Sequence, residues 1–315
     1  MLPISSPKIA LLVILATAVM LTACGGGPAP EEKSGPLQVV ATTTIVGDAV
    51  ARVGGDAIAL SVLLPVGTDP HSFDPTPQDI ARVADADVIF ANGAGLEAFL
   101  EPLLANASSQ AEVVSLSDGI ELLAAPQHAD GEDEDDHGDA DPHVWTDPQN
   151  VILWVEKIAE TLQALDPDQA QTYVQNAAAY RQELEALDEW IRQQVDAIPP
   201  EQRRLVTDHA VFGYFARAYG FEQVGALIPG YSTLASPSAR DLSALEDAIR
   251  QLGVGALFVG NTVNPALAER VAADTGVKLV FLYTGSLSAP DGEAGTYLDY
   301  MRYNTQAIVD ALRGD

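Results

Sequence analysis

Short apolar runs, many of them β-branched, recur along the chain with amphipathic stretches between them. Leu37 to Thr43, Ala59 to Leu64, Asp87 to Ala91 and Glu112 to Leu116 predict strands, and helical periodicity near Ile45 to Val53, Thr76 to Ala84 and Glu97 to Leu104 fills the gaps. Such alternation marks parallel βαβ units and predicts a first α/β lobe over residues 37–147. A helical region, 148–197, follows. Within it Asp166-Pro167 restarts the pattern, aspartate as a cap and proline as a first helical residue. The helix beyond runs for roughly thirty residues, or about 45 Å at 1.5 Å per residue, long enough to be a stiff strut. Alternation then resumes over residues 198–315. Arg204 to Thr207, Phe221 to Leu227, Ala256 to Gly260 and Lys278 to Tyr283 predict strands, with helices near Val211 to Tyr219, Ser238 to Leu252, Pro265 to Thr275 and Thr296 to Leu312. The fold class expected is α/β: two lobes, each a mainly parallel four-stranded sheet flanked by helices, joined by one long rigid helix, with a cleft between them.

Composition agrees with two cores, since 47% of the 315 residues are hydrophobic. A formal net charge of -29 excludes a nucleic-acid surface and favours a soluble, cation-attracting body. The first 23 residues read differently from the rest. Lys8 precedes an apolar stretch from Ile9 to Leu21, too short for a convincing membrane span, so residues 1–23 predict a secretory signal. The one cysteine, Cys24, cannot form an internal disulfide. Its context, Leu21-Thr22-Ala23-Cys24, resembles the lipobox of bacterial lipoproteins, which implies lipid on Cys24 and a membrane anchor. Residues 24–36 then read as a flexible tether.

Candidate chemistry centres on a repeated tripeptide. Asp-Pro-His occurs at Asp69-Pro70-His71 and at Asp141-Pro142-His143, each copy running into a second Asp-Pro, in a chain with only five histidines. Proline fixes its own φ and restricts the residue before it, so each imidazole leaves a stiff turn. Neutral imidazole is the commonest ligand for a borderline ion such as zinc. His71 follows the second predicted strand, His209 follows Arg204 to Thr207, and His143 follows an acidic loop, 128–142. In open α/β sheets, ligands gather outside the carboxyl ends of strands. The acidic loop carries eight carboxylates between Asp130 and Asp141, with His128 and His137 in or beside it. Solvated charge explains such a run as well as ion collection does.

The segment from Pro65 to Pro77 (PVGTDPHSFDPTP) resembles the first-ligand motif of the solute-binding lipoproteins of bacterial zinc and manganese ABC importers, the ZnuA/TroA type. The resemblance continues through Ala86 to Gly93, Asp141 to Trp145, His209 with Phe212 to Phe215, and Tyr297 to Asn304, covering essentially the whole mature chain. It implies an extracytoplasmic, lipid-anchored, monomeric protein that holds metal in the cleft and delivers it to a permease driven by an ATPase. It also implies His71, His143 and His209 as metal ligands. Zinc-type members place histidine at the third position where manganese-type members tend to place glutamate, and imidazoles suit zinc better than manganese, which prefers oxygen. Zinc is the expected cargo, with a manganese- or iron-binding protein of the same transporter class as the alternative. One position departs from the pattern: in Leu282 to Ser288 the carboxylate that commonly completes the site is replaced by Gly285. Water, Asp291, Glu293 or the acidic loop is left to fill that place.

Two other readings remain open on the residues alone. Three histidines plus water is also the arrangement of a catalytic zinc, with Asp208 as a candidate base, although no His-Glu-x-x-His sequence occurs. Alternatively the metal is structural, in a surface interaction lipoprotein. Because imidazoles must be neutral to bind, capture should weaken as pH falls through about 6 to 5.

Overall fold

Thr43 ends the first apolar run and turns the chain. Its hydroxyl accepts the Val46 N–H at 3.2 Å and so caps helix α1 (Thr44–Gly54). The structure is a computed structural model that describes residues 35–124 and 140–313. In the first lobe, β1 (Leu37–Ala41), β2 (Ile58–Val62), β3 (Val88–Ala91) and β4 (Glu112–Ser115) form a parallel sheet in the order β2-β1-β3-β4, with α2 (Pro77–Asp85) and α3 (Leu100–Ala107) as the other crossovers. The second lobe repeats the plan. Its strands β5 (Arg204–Thr207), β6 (Glu222–Ala226), β7 (Ala256–Gly260) and β8 (Lys278–Leu282) run parallel in the order β6-β5-β7-β8.

Between the lobes lie α4 (Pro148–Leu165) and α5 (Ala170–Val195); α6 (Gly213–Tyr219), α7 (Ala239–Leu252), α8 (Ala266–Thr275) and α9 (Tyr297–Leu312) belong to the second lobe. Pro167 opens a short 3-10 turn, Pro167–Gln169, before α5 begins, so the continuous α-helix has 26 residues. That makes it about 39 Å long. It packs on α1, α4 and α9, touching helices of both lobes.

The apolar residues sort into three cores. Each strand sends alternate side chains to opposite faces. Val40, Ile89 and Val83 face an outer core in the first lobe, and Val206, Val259 and Leu245 face its counterpart in the second. Val39, Phe90, Trp154, Tyr180, Leu187, Phe258 and Ile308 belong to one inner core that passes from lobe to lobe. A buried polar network ties this core together: Trp145 Nε1 donates to Tyr300 Oη at 3.1 Å, Tyr300 Oη donates to Thr284 O at 3.0 Å, and Tyr297 Oη donates to Trp145 O at 2.7 Å. Shared packing of this kind resists hinge motion and favours one fixed relation between the lobes.

The predicted signal segment, Cys24, and the tether up to residue 34 lie outside the described residues, as do residues 125–139, which include His128, His137 and most of the acidic loop. Ala124 and Ala140 pair as an antiparallel bridge. Among the described residues no helix is long and apolar enough to cross a membrane.

Candidate metal centre

The repeated tripeptide has a common local geometry. Proline offers no N–H, and in each copy the aspartate side chain instead accepts the backbone N–H two residues on, from His71 to Asp69 Oδ1 at 3.0 Å and from His143 to Asp141 Oδ1 at 2.9 Å. The turn aims the imidazole. In the first copy the other oxygen, Asp69 Oδ2, accepts Ser72 Oγ–H at 3.1 Å and Thr233 Oγ1–H from the second lobe at 2.5 Å. The second lobe also grips this turn through Ser286, whose hydroxyl accepts the Gly67 N–H at 2.8 Å.

His71 and His143 from the first lobe and His209 from the end of β5 converge, each offering a ring nitrogen within 4.8 Å of the other two. The closest pair, His71 Nε2 and His143 Nε2, stands 3.3 Å apart. Two nitrogens bound at 2.0–2.1 Å to a tetrahedral zinc would be separated by about 3.3–3.4 Å. His143 and His209 are 1% and 2% exposed, whereas His71 is half-buried, so the open side of the cluster is at His71.

Carboxylates stand behind two of the rings. Asp141 Oδ1 lies 2.8 Å from His143 Nδ1, and Asp208 Oδ1 lies 2.7 Å from His209 Nδ1. Asp208, held ionised, only accepts, so its contact places the proton on His209 Nδ1 and leaves the Nε2 lone pair for a metal; Asp141 meets the same ring atom of His143. Asp208 is further held by the Gly260 N–H on Oδ2, at 2.6 Å, and by the His209 N–H on Oδ1.

Burial sets the protonation of the centre. Burial, with the facing imidazoles of His143 and His209 adding to it, holds His71 down at about 3. Burial also keeps His143 well below the usual imidazole value, again helped by His209. Burial pushes Asp141 up to about 7 against the backbone bond from His143. For Asp208 burial pulls the same way, but the His209 imidazole and the hydrogen bonds from His209 and Gly260 outweigh it and leave the carboxyl below its ordinary value. Neutral rings are what a metal needs, so His71 and His143 are pre-set for capture.

A family model described as zinc-uptake complex component A, periplasmic, matches residues 39–311. The chain belongs to this ZnuA family. Its relatives carry both metals in their names. The manganese-binding lipoprotein MntA of Halalkalibacterium halodurans is 35% identical over 302 residues, covering 95% of this chain and 97% of its own. The manganese ABC transporter substrate-binding lipoprotein PsaA of Streptococcus pneumoniae is 31% identical over 309 residues, covering 96% and 97%. Among solved structures, the periplasmic zinc-binding protein TroA from Treponema pallidum superposes with a TM-score of 0.78 at 29% identity, over 88% of this chain and 99% of its own. A manganese-bound periplasmic metal-binding protein from Candidatus Liberibacter asiaticus gives 0.77 at 28% identity, over 88% and 100%.

The fourth position, where the sequence resemblance led to the expectation of a carboxylate, is not filled by one here. Among the described residues no carboxylate oxygen joins the three nitrogens within their common spacing. Asp291 and Glu293 are exposed, and Glu293 lines a groove with Trp190 of α5 and with Arg302 and Tyr303 of α9. Gly285 does lie beside the site. A Cβ there would stand 2.8 Å from Pro70 Cδ, so glycine is what lets the first Asp-Pro-His turn close against the second lobe. Asp141 has its place in the repeated tripeptide, yet its hold on the His143 ring was not legible from spacing. Thr233 and Glu97 carried no sequence signal at all.

Proposed function

We propose that this protein captures Zn²⁺ in the interlobe cleft through His71, His143 and His209 and delivers it to an ABC importer. The observation that carries the reading is the convergence of three imidazole nitrogens, two of them backed by carboxylates, with no carboxylate oxygen joining the cluster among the described residues. Such a donor set favours zinc over manganese. Membership of the ZnuA family supports the transport role, with a permease and its ATPase as partners. Lipid on Cys24 would anchor the mature chain, as a monomer, outside the cytoplasm.

The relatives named for manganese favour a second reading, in which the same three nitrogens take Mn²⁺ and water completes the sphere. Competition titration of the full chain with both metals separates the two: zinc should displace manganese, and stable retention of manganese against equimolar zinc would reverse the assignment. We read the site as a carrier without turnover, because Asp208 already accepts from the His209 ring and from the Gly260 N–H and is not free to act as a base. Ester, phosphate or lactam hydrolysis by the zinc-loaded chain, lost in His71→Ala, would revive the enzyme reading. The shared inner core should also keep the empty protein folded, where a purely structural metal would not.

A further inference from the structure

Glu97 is a buried carboxylate that touches none of the three histidines. Its Oε1 accepts the Thr42 hydroxyl at 2.6 Å and the Asn92 N–H at 2.7 Å, and its Oε2 accepts the Gly93 N–H at 3.0 Å. The chain it grips is in an unusual conformation. Gly93, Ala94 and Gly95 have φ of 84°, 52° and 80° in succession, and the middle residue carries a Cβ that disfavours this region. At Gly93 the backbone passes so close to β4 that a Cβ would collide with Ser115 Oγ. Strain of this kind persists only where surrounding bonds over-determine it.

What the turn delivers is the side chain of Asn92. Its Nδ2 donates to Pro142 O at 2.9 Å, inside the second Asp-Pro-His turn. Pro142 O also accepts the Val144 N–H at 2.9 Å, and the His143 N–H is held by Asp141 Oδ1. The peptide joining Pro142 to His143 is therefore fixed at its oxygen and at its nitrogen. From that peptide the His143 side chain departs toward the centre.

We propose that Asn92 and Glu97 are positioning residues for His143: Glu97 locks the left-handed turn, the turn aims Asn92, and Asn92 fixes the peptide plane that sets the imidazole's direction. The inference rests on metal capture at the three histidines. A ligand held about 1 Å off line binds zinc more weakly even in a folded protein, so the effect belongs to affinity and coordination geometry rather than to folding alone.

The test uses the full chain with zinc and, as a spectroscopic stand-in, Co²⁺. Asn92→Ala should raise the zinc dissociation constant about tenfold, as loss of outer support at a metal site does, and should shift the visible bands of the cobalt-loaded protein. Thr42→Val, which deprives Glu97 of a donor, should move both readouts the same way, and Thr42→Ser should restore them. If Asn92→Ala fails to fold, the Thr42 pair decides. Folded variants with parent zinc affinity and parent cobalt spectra, changed only in melting temperature of the empty protein, would overturn the proposal. His143→Ala is the control: if it keeps parent zinc affinity, the capture reading itself fails and the brace with it.

Discussion

Replacing Asp208 with asparagine tests how far the carboxylates behind the imidazoles set the centre. Asp208 accepts from three N–H groups: His209 Nδ1 at 2.7 Å and His209 N at 2.6 Å on Oδ1, and Gly260 N at 2.6 Å on Oδ2. An amide keeps one acceptor oxygen and turns the other into a donor. Whichever way it faces, a buried N–H meets an NH₂. Leaving such a donor unpaired costs about 1–3 kcal/mol. Loss of outer support for a ligating imidazole weakens affinity about 10–100-fold, or about 1.4–2.8 kcal/mol, the same range by an independent route. If the NH₂ turns toward Gly260, the cost falls on the empty fold, lowering its melting temperature by roughly 2–4 °C per kcal/mol. If it turns toward His209, the cost appears in the zinc dissociation constant. Asp141 supplies the contrast. Only its Oδ1 is engaged, by His143 N and Nδ1, and Oδ2 has no partner among the described residues. Asp141→Asn therefore keeps both bonds and should cost less on both readouts, measured by chelator competition and calorimetry. Asp208→Asn with a dissociation constant within twofold of the parent and an unchanged melting temperature would refute the reasoning, as would a reversed order of the two variants.

Alanine at His71, His143 or His209 should each cut zinc affinity sharply, and alanine at His128 or His137 much less; equal effects from all five by competition titration would overturn the ligand assignment. Gly285→Asp should not create a manganese site, because its Cβ would meet Pro70 Cδ at 2.8 Å and push the His71 turn away; overpacking of this sort costs about 1–3 kcal/mol, and weaker zinc binding is expected from isothermal titration. With His71 held at about 3 and His143 well below its usual 6.5, these two rings should stay free of protons through the window of pH about 6 to 5 in which ordinary imidazoles would lose zinc, and NMR titration of their ring protons in the empty protein checks this. For the empty protein the sign is fixed by linkage. Above pH 6.5 these rings are neutral in both states and contribute nothing, whereas between 6.5 and about 3 the unfolded chain takes up protons that the folded chain refuses, so the rings lower the melting temperature as pH falls, while Asp141, raised to about 7, opposes them by binding its proton in the folded state first. His71→Ala should therefore flatten the acid-side fall relative to the parent in thermal melts, and an unchanged pH dependence would contradict the burial of this ring.

Much of the fold was legible because its inner strands are buried on both faces. Val88 to Ala91 and Ala256 to Gly260 read as continuous apolar runs, as strands of a covered parallel sheet do, and β5 and β7 have the bounds expected of them. The misses have local causes. Helix α3 was expected from Glu97 but begins at Leu100, since Glu97 spends its carboxylate on the backbone of Asn92 and Gly93. Helix α5 starts three residues late because Pro167 takes a 3-10 turn first. Asn92, at the end of β3, spends its side chain on Pro142 O, a partner 50 residues on that no local spacing announces. At the site, the three histidines were readable from the tripeptide and from their strand ends. Their supports were not: Asp141 acts on its ring only once the turn has formed, and Thr233 reaches Asp69 from the other lobe, 164 residues away in sequence. Contacts of that range leave no spacing to read.

The central claim is that three imidazoles, with no carboxylate co-ligand among the described residues, make this a zinc carrier. The most direct measurement is metal analysis of the full chain after equilibration with equimolar Zn²⁺ and Mn²⁺, followed by competition titration. One bound zinc per chain with manganese displaced is the predicted result. Manganese retained in preference to zinc would contradict it.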